Sequence, residues 1–257
     1  NKTMAITIKS EREIELMAEA GKILERVHNE LEKALHPGMS TKDIDTLGEK
    51  IIRSYGCIPS FLNYNGYPAS ICVSVNQEVV HGIPDKHRII HEGDIVSLDA
   101  GVIYKGYHSD AARTHAVGEV SEEAKKLIQV TKECFFEGIK YAKAGNHLFD
   151  ISGAIGRYAE ERGYGVVRDL CGHGIGTALH EAPEIPNYEV GRKGVKLRPG
   201  MTLAIEPMIN IGTYEVDWLD DDWTVVTRDG SLSAHYENTI LITEGEPRIL
   251  SLTCDNE

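Results

Sequence analysis

Four carboxylates and one imidazole, Asp99, Asp110, Glu206, Glu237 and His173, lie in strand-like runs or a glycine-rich turn, and together they make the oxygen-rich donor set of a two-metal hydrolase. Acids gathered in a buried place must share protons or bind cations, because like charges in a low dielectric repel. Divalent metal is the preferred explanation once more than two carboxylates converge. Four ionised acids with a neutral imidazole carry a formal charge of −4, which two divalent ions cancel. Taken one at a time, each acid would pass for a solvated strand residue. Their joint placement within apolar strands favours the metal site.

Two of the acids are tied together by an internal repeat. Gly93-Asp94-Ile95-Val96-Ser97-Leu98-Asp99 and Gly200-Met201-Thr202-Leu203-Ala204-Ile205-Glu206 share one form, with 206 − 99 = 107. The same offset relates Gly38 to Gly145, Asp43 to Asp150, Ile44 to Ile151 and Gly56 to Gly163. A period this long is not a solenoid unit and fits duplication inside one domain, so residues 1–257 are expected to form a single catalytic domain of two repeated halves. A third acid is placed by a hairpin. If Lys105-Gly106 is a two-residue turn, paired residues sum to 211, and Asp110 sits opposite Gly101. Asp110 is then a diagonal neighbour of Asp99 on the same face, roughly 7–8 Å away at the backbone.

His173 lies in Cys171-Gly172-His173-Gly174-Ile175-Gly176, followed by Thr177-Ala178-Leu179-His180-Glu181. The stretch lacks the Lys-Ser/Thr ending of a phosphate loop and the glycine spacing of a dinucleotide fingerprint. Glycines beside the histidine suit close approach of the backbone to a metal or ligand.

The elements that must hold these residues follow from periodicity. Apolar positions at helical spacing predict helices over 10–35, capped by Ser10 with Glu13, and over 41–56, capped by Ser40 or Thr41. The plan recurs over 121–143 and 149–162. Strand-like runs cover 70–75, 94–104, 107–117, 201–210, 223–227 and 233–243. Helix pairs followed by strands, twice, point to an α+β fold with a mainly antiparallel sheet covered by helices.

The bulk properties narrow the partners. A net charge of −13 argues against wrapping nucleic acid, and the one cationic cluster runs from Arg192 to Arg198. It suits a solvated loop or a local contact with RNA. Cys57, Cys72, Cys134, Cys171 and Cys254 form no C-x-x-C pair, which suggests a reducing compartment. No apolar run is long enough to span a bilayer, so a cytoplasmic chain is expected. Residues 1–3 are expected to be an appended remnant, with Met4 the natural start.

The chain resembles the type I methionine aminopeptidases of the short bacterial kind. The resemblance rests on His81-Gly82-Ile83-Pro84, on Gly93-Asp94-Ile95-Val96 leading to Asp99, on Gly172-His173-Gly174-Ile175-Gly176 with His180, and on Asn187-Tyr188, and it runs from Ile6 to Thr243. It implies a pita-bread fold around a central metal pair and removal of the initiator methionine from new proteins. Asp99 would chelate one ion, Asp110 and Glu237 would bridge two, and His173 with Glu206 would complete the second. A bridging water or hydroxide would be the nucleophile, acidified by the ions. Glu206 would also be the general base, His180 would polarise the scissile carbonyl, and His81 would contact the substrate amide nitrogen. Manganese, iron, cobalt and zinc all suit this donor set.

Phe61, Tyr64, Tyr67, Cys72, Leu179 and Trp223 match the methionine pocket, with departures at Phe61, where relatives commonly have cysteine, and at Leu179, where an aromatic is common. Asn76 and Ser233 match positions whose carbonyls hold a monovalent cation. The expected partner is the N-terminal methionine of peptides and nascent chains, with the loop from Arg192 to Arg198 as a candidate ribosome contact and the chain a monomer. An Xaa-Pro peptidase would keep the same five ligands but carry a further N-terminal domain, whereas only a short lead precedes the first helix here. A non-catalytic docking protein would not need all five.

Overall fold

The computed structural model of the chain describes residues 5–253, so the expectations for residues 1–3, Met4 and Cys254 lie outside the described residues. Among the described residues four long helices are set by their caps. The first, α1, is Glu11–Ala34; Ser10 Oγ accepts the Glu13 N–H and Glu13 accepts the Ser10 N–H, which satisfies two of the free donors at the helix start. The second, α2, is Thr41–Ser54, α3 is Glu122–Ile139 and α4 is Leu148–Glu161. Adding 107 to both ends of α2 gives both ends of α4. Asp43 accepts the Ser40 N–H as Asp150 accepts the His147 N–H, and Gly38 and Gly145 both turn the chain at φ +94°. The helix expected over 121–143 stops at Ile139, because the next residues close turns among themselves and Gly145 donates to the Leu197 carbonyl instead.

The two repeated glycines before the strands that lead to Asp99 and Glu206, Gly93 and Gly200, have φ +94° and +93°. Among the described residues every strand pairing is antiparallel. Ile95–Tyr104 and Tyr107–Ala116 form the expected hairpin, in register from Ile95 with Ala116 to Tyr104 with Tyr107. Lys105 and Gly106 have φ +46° and +87°, the positive pair of a type I′ turn. Ile71–Val75 pairs with the other edge of Ile95–Tyr104, and α1 and α2 cover this sheet through Ile23, Leu24, Val27, Leu31, Ile44 and Ile52. A five-stranded sheet runs in the order Arg248–Ile249, Asn238–Leu241, Thr202–Ile205, Gly172–Gly174, Glu181–Ile185, and α3 and α4 cover the core beside it.

Two expected strands are each two strands in different sheets. The run over 201–210 breaks at Glu206-Pro207: Thr202–Ile205 stays in the five-stranded sheet, whereas Met208–Asn210 joins Ser233–His235 and Gly165–Val166. The run over 233–243 breaks likewise at Tyr236-Glu237. Proline has no N–H for a ladder, and its carbonyl here accepts the Tyr236 N–H, so the two breaks face each other. Glu237 exchanges both backbone bonds with Ala112, which stitches this seam to the hairpin.

The buried histidines of this core give a pH dependence. His28 on α1 is 3 % exposed, its Nε2 lies 2.7 Å from the Ala111 carbonyl, and burial, then the Arg113 charge, hold it well below its usual value. The unfolded chain therefore binds more protons than the folded chain below a pH of about 6.5. Stability is full above that pH and falls as pH drops below it. Urea melts across pH 5–8 are expected to show this acid limb, and His28→Gln, which keeps a donor to Ala111, should flatten part of it; an unchanged slope would exclude His28 as a contributor.

Candidate metal centre

The hairpin register carries Asp110 opposite Gly101, one pleat from Asp99, and Cys72 faces Asp99 across the neighbouring strand. The seam delivers the other acids: Glu206 follows the strand Thr202–Ile205 and Glu237 precedes Asn238–Leu241, at the two breaks. His173 Nε2 lies 3.2 Å from Glu206 Oε2, 3.4 Å from Asp110 Oδ2 and 3.9 Å from Glu237 Oε2. Ligand atoms of Asp110, His173, Glu206 and Glu237 all fall within 4.8 Å of one another, and those of Asp99, His235 and Glu237 form a second such group. All five sequence-predicted ligands therefore come together.

Expected as a loop, the residues around His173 instead form a short strand, Gly172–Gly174, paired on both sides. The glycines serve backbone packing rather than approach of a ligand: a Cβ on Gly172 would lie 2.3 Å from the Ala204 carbonyl oxygen, and one on Gly174 2.1 Å from that of Ala182. His173 Nδ1 lies 2.8 Å from the Gly174 carbonyl, so Nδ1–H donates there and Nε2 faces the acids.

The electrostatics test whether cations fit. Asp99 Oδ1, Asp110 Oδ1, both Glu237 carboxylate oxygens and His173 Nε2 are buried without a hydrogen bond, an arrangement too costly to leave unsatisfied. Burial, then the Asp110 and Glu206 charges, push Asp99 well above the carboxylate range, and burial with Asp110 and Glu206 does the same to Glu237. Burial alone would depress His173, but the Asp110 and Glu206 carboxylates, 3.4 and 3.2 Å from its Nε2, raise it to about 10. Burial would raise Glu206, yet its contacts with Glu237, His173 and His235 hold it well below the usual range. Protons thus do in this chain what cations would do better, and the hard oxygens with one or two imidazoles suit divalent ions.

Sequence reasoning missed His235. It is 1 % exposed, its Nε2 has no hydrogen bond, and that atom lies 3.6 Å from Glu206 Oε1. The two Glu206 oxygens are therefore bracketed by two imidazoles. Strand alternation was the available signal, since His235 stands two residues before Glu237.

Beside the acids opens a cavity of about 220 Å³, lined by Phe61, Tyr64, Tyr67, Cys72, Leu179 and Trp223 together with His81 and His180. Every residue matched to the pocket is present, and Asn65, not foreseen, joins them. The Tyr67 hydroxyl donates to the Ile71 and Gly82 carbonyls, and its ring meets Trp223 edge-on at 5.1 Å. His180 Nδ1 lies 2.8 Å from the Tyr64 hydroxyl, and its ring meets that of His173 at 4.1 Å. The next residue, Glu181, is pinned by Lys9 at 2.8 Å in a buried ion pair. His81 has φ +60°, a left-handed backbone unusual for histidine, and burial holds its imidazole below its usual value. Asn76, matched to the monovalent site, has a carbonyl that accepts the Ser233 N–H. The loop from Arg192 to Arg198 is exposed apart from Leu197, which is buried in the core.

Comparison with known proteins agrees with this geometry. Residues 15–244 match the model of metallopeptidase family M24. A methionine aminopeptidase of Clostridium acetobutylicum is 59 % identical over 96 % of this chain and 99 % of its own length, and one of Bacillus subtilis is 51 % identical over 93 % and 96 %. The crystal structure of a methionine aminopeptidase from Thermotoga maritima, 47 % identical, superposes with a TM-score of 0.95 over 97 % of this chain and all of that one. An Xaa-Pro dipeptidase from Bacillus anthracis, 27 % identical, superposes with a TM-score of 0.76, but this chain covers only 62 % of it.

Proposed function

The chain belongs to metallopeptidase family M24, and from that membership we propose that it removes the N-terminal methionine from peptides and nascent proteins by hydrolysis of the first peptide bond. The observation that carries this reading is the convergence of Asp110, His173, Glu206 and Glu237 at a cavity of aromatic and sulfur-bearing walls. Asp99, Asp110, His173, Glu206 and Glu237 would hold two divalent ions. Such ions, when bound, supply Lewis acidity and make water nucleophilic at neutral pH.

The chain's own residues supply the rest. Glu206, kept ionised by its contacts with Glu237, His173 and His235, is the general base that takes a proton from the attacking water. With the Tyr64 hydroxyl, 2.8 Å away, as donor to His180 Nδ1, the proton of the neutral imidazole sits on Nε2, from which it can be offered to the scissile carbonyl oxygen as charge grows there. His81, neutral and held by its backbone at the cavity edge, contacts the amide nitrogen and aids departure of the amine. Phe61, Tyr64, Tyr67, Cys72, Leu179 and Trp223 enclose the thioether, which favours aromatic faces and soft sulfur.

The same proposal covers two halves of one domain, a monovalent cation at the carbonyls of Asn76 and Ser233, a monomer in the cytoplasm, and a ribosome contact through Arg192, Lys193, Lys196 and Arg198. The matched ends of α2 and α4 support the halves, and no helix among the described residues is long and apolar enough to cross a membrane. Peptide assays test the activity. With Mn, Fe, Co or Zn restored to chelated protein, Met-Ala-Ser is expected to be cleaved and Ala-Pro-Ala left intact. Cleavage of the proline peptide alone would make the chain an Xaa-Pro peptidase, and cleavage of neither would leave a docking role.

A further inference from the structure

The donor atoms of the centre fall into two groups, Asp110 with His173, Glu206 and Glu237, and Asp99 with His235 and Glu237, each spanning no more than 4.8 Å. Glu237 belongs to both, and each group holds one imidazole. We propose that His235 is a sixth metal ligand, binding through Nε2 the ion that Asp99 and Glu237 hold, so that each of two ions meets one ring nitrogen. The inference rests on the two-metal reading above and adds to it a donor outside the five that the resemblance assigns.

Three features support a ligand at this position. First, the ring is already in place. His235 closes the strand Ser233–His235 opposite Met208, beside the two breaks that deliver Glu206 and Glu237. The Thr114 hydroxyl accepts its N–H at 2.9 Å and donates to its carbonyl at 2.8 Å. A side chain on a backbone fixed at both polar groups needs little reorganisation to bind. Second, the fold gives Nε2 no other task. That atom is buried without a hydrogen bond, and Glu206 Oε1 at 3.6 Å is beyond the reach of one. A buried nitrogen left unsatisfied is costly, whereas a lone pair turned to a cation is not. Third, the charge balance is kept. A neutral imidazole brings a donor and no charge, so four carboxylates still face two divalent ions.

The added nitrogen bears on which metal the centre prefers. Imidazole suits cobalt, iron and zinc, whereas sets of carboxylate and water suit manganese, so a second ring nitrogen tilts the centre away from manganese.

The test titrates metal-free protein with cobalt(II) or manganese(II), with no peptide present. In the chain loaded with two equivalents of cobalt, proton NMR is expected to show two hyperfine-shifted, exchangeable imidazole N–H signals, from His173 and His235. His235→Gln, which keeps an N–H group facing Glu206, should show one. Calorimetry should find its cobalt affinity lowered by at least about 10-fold at one of the two sites, and its manganese affinity lowered by less. A single shifted signal in the original chain would overturn the proposal, and that count decides even if the variant does not fold. Equal losses for both metals, or none, would overturn it as well: a hydrogen bond to Glu206 survives in the glutamine variant, and a packing defect does not distinguish cobalt from manganese. An original chain that binds neither metal would instead remove the metal centre on which the proposal stands.

Discussion

Glu206→Gln is expected to lower kcat for Met-Ala-Ser by roughly 10³-fold, within the range for loss of a general base, while the fold persists. The amide matches the carboxylate in shape but cannot accept a proton. Its surroundings tolerate the change: the Glu206 backbone is held by the Asn187 side chain at 3.2 Å, and an amide oxygen can still face His235 as Glu206 Oε1 does at 3.6 Å. Single-turnover kinetics of the metal-loaded variant, with circular dichroism as the control for folding, would measure the effect. Activity within tenfold of the original chain would remove Glu206 as the base.

Asp99→Asn should change sign with metal. In the metal-free chain Asp99 is a buried acid pushed well above its usual range by burial and by Asp110 and Glu206, so at neutral pH folding must place a proton on it that the unfolded chain gives up, and a neutral amide removes that cost. Its thermal midpoint is then expected to rise. In the metal-loaded chain the same change deletes a ligand, and the midpoint should fall. Ligand binding at 100 times the dissociation constant stabilises by about 2.7 kcal/mol, and each kcal/mol is worth roughly 2–4 °C for a chain of this size. Chelation should therefore cost the original chain roughly 5–10 °C together with its activity. Scanning calorimetry with and without manganese checks all three expectations; an Asp99→Asn midpoint lowered equally in both states would mean that Asp99 supports the fold rather than an ion.

Much of this centre was legible in the sequence, for reasons that differ by residue. Asp99 and Asp110 were placed because a two-residue turn fixes register, and a register of 211 held from end to end of the hairpin. Pocket residues such as Tyr67 and Trp223 were reached through resemblance alone, since aromatic residues at those positions could equally be core. The break at Tyr236-Glu237 was not legible, because periodicity cannot say which sheet a strand joins, whereas Pro207 marked the other break and the run over 201–210 read through it. His235 went unseen for the opposite reason: its signal was present, but it stood beside a stronger one at Glu237. The glycines flanking His173 were assigned to ligand approach, when the crowding comes from neighbouring strands that no local pattern reveals.

The stitching of the hairpin to the seam at Ala112 and Glu237 has a consequence for the order in which the molecule assembles. Asp99 and Asp110 are 11 residues apart and can meet as soon as their hairpin closes, whereas Asp99 and Glu237 are separated by 138. Contacts between distant residues bear the largest chain-closure entropy and are made late. A half-built chain would thus offer two acids but no complete ion site. Ions bound to the finished cluster tie its two distant ends together much as a crosslink would, so that metal loading should slow unfolding rather than speed folding.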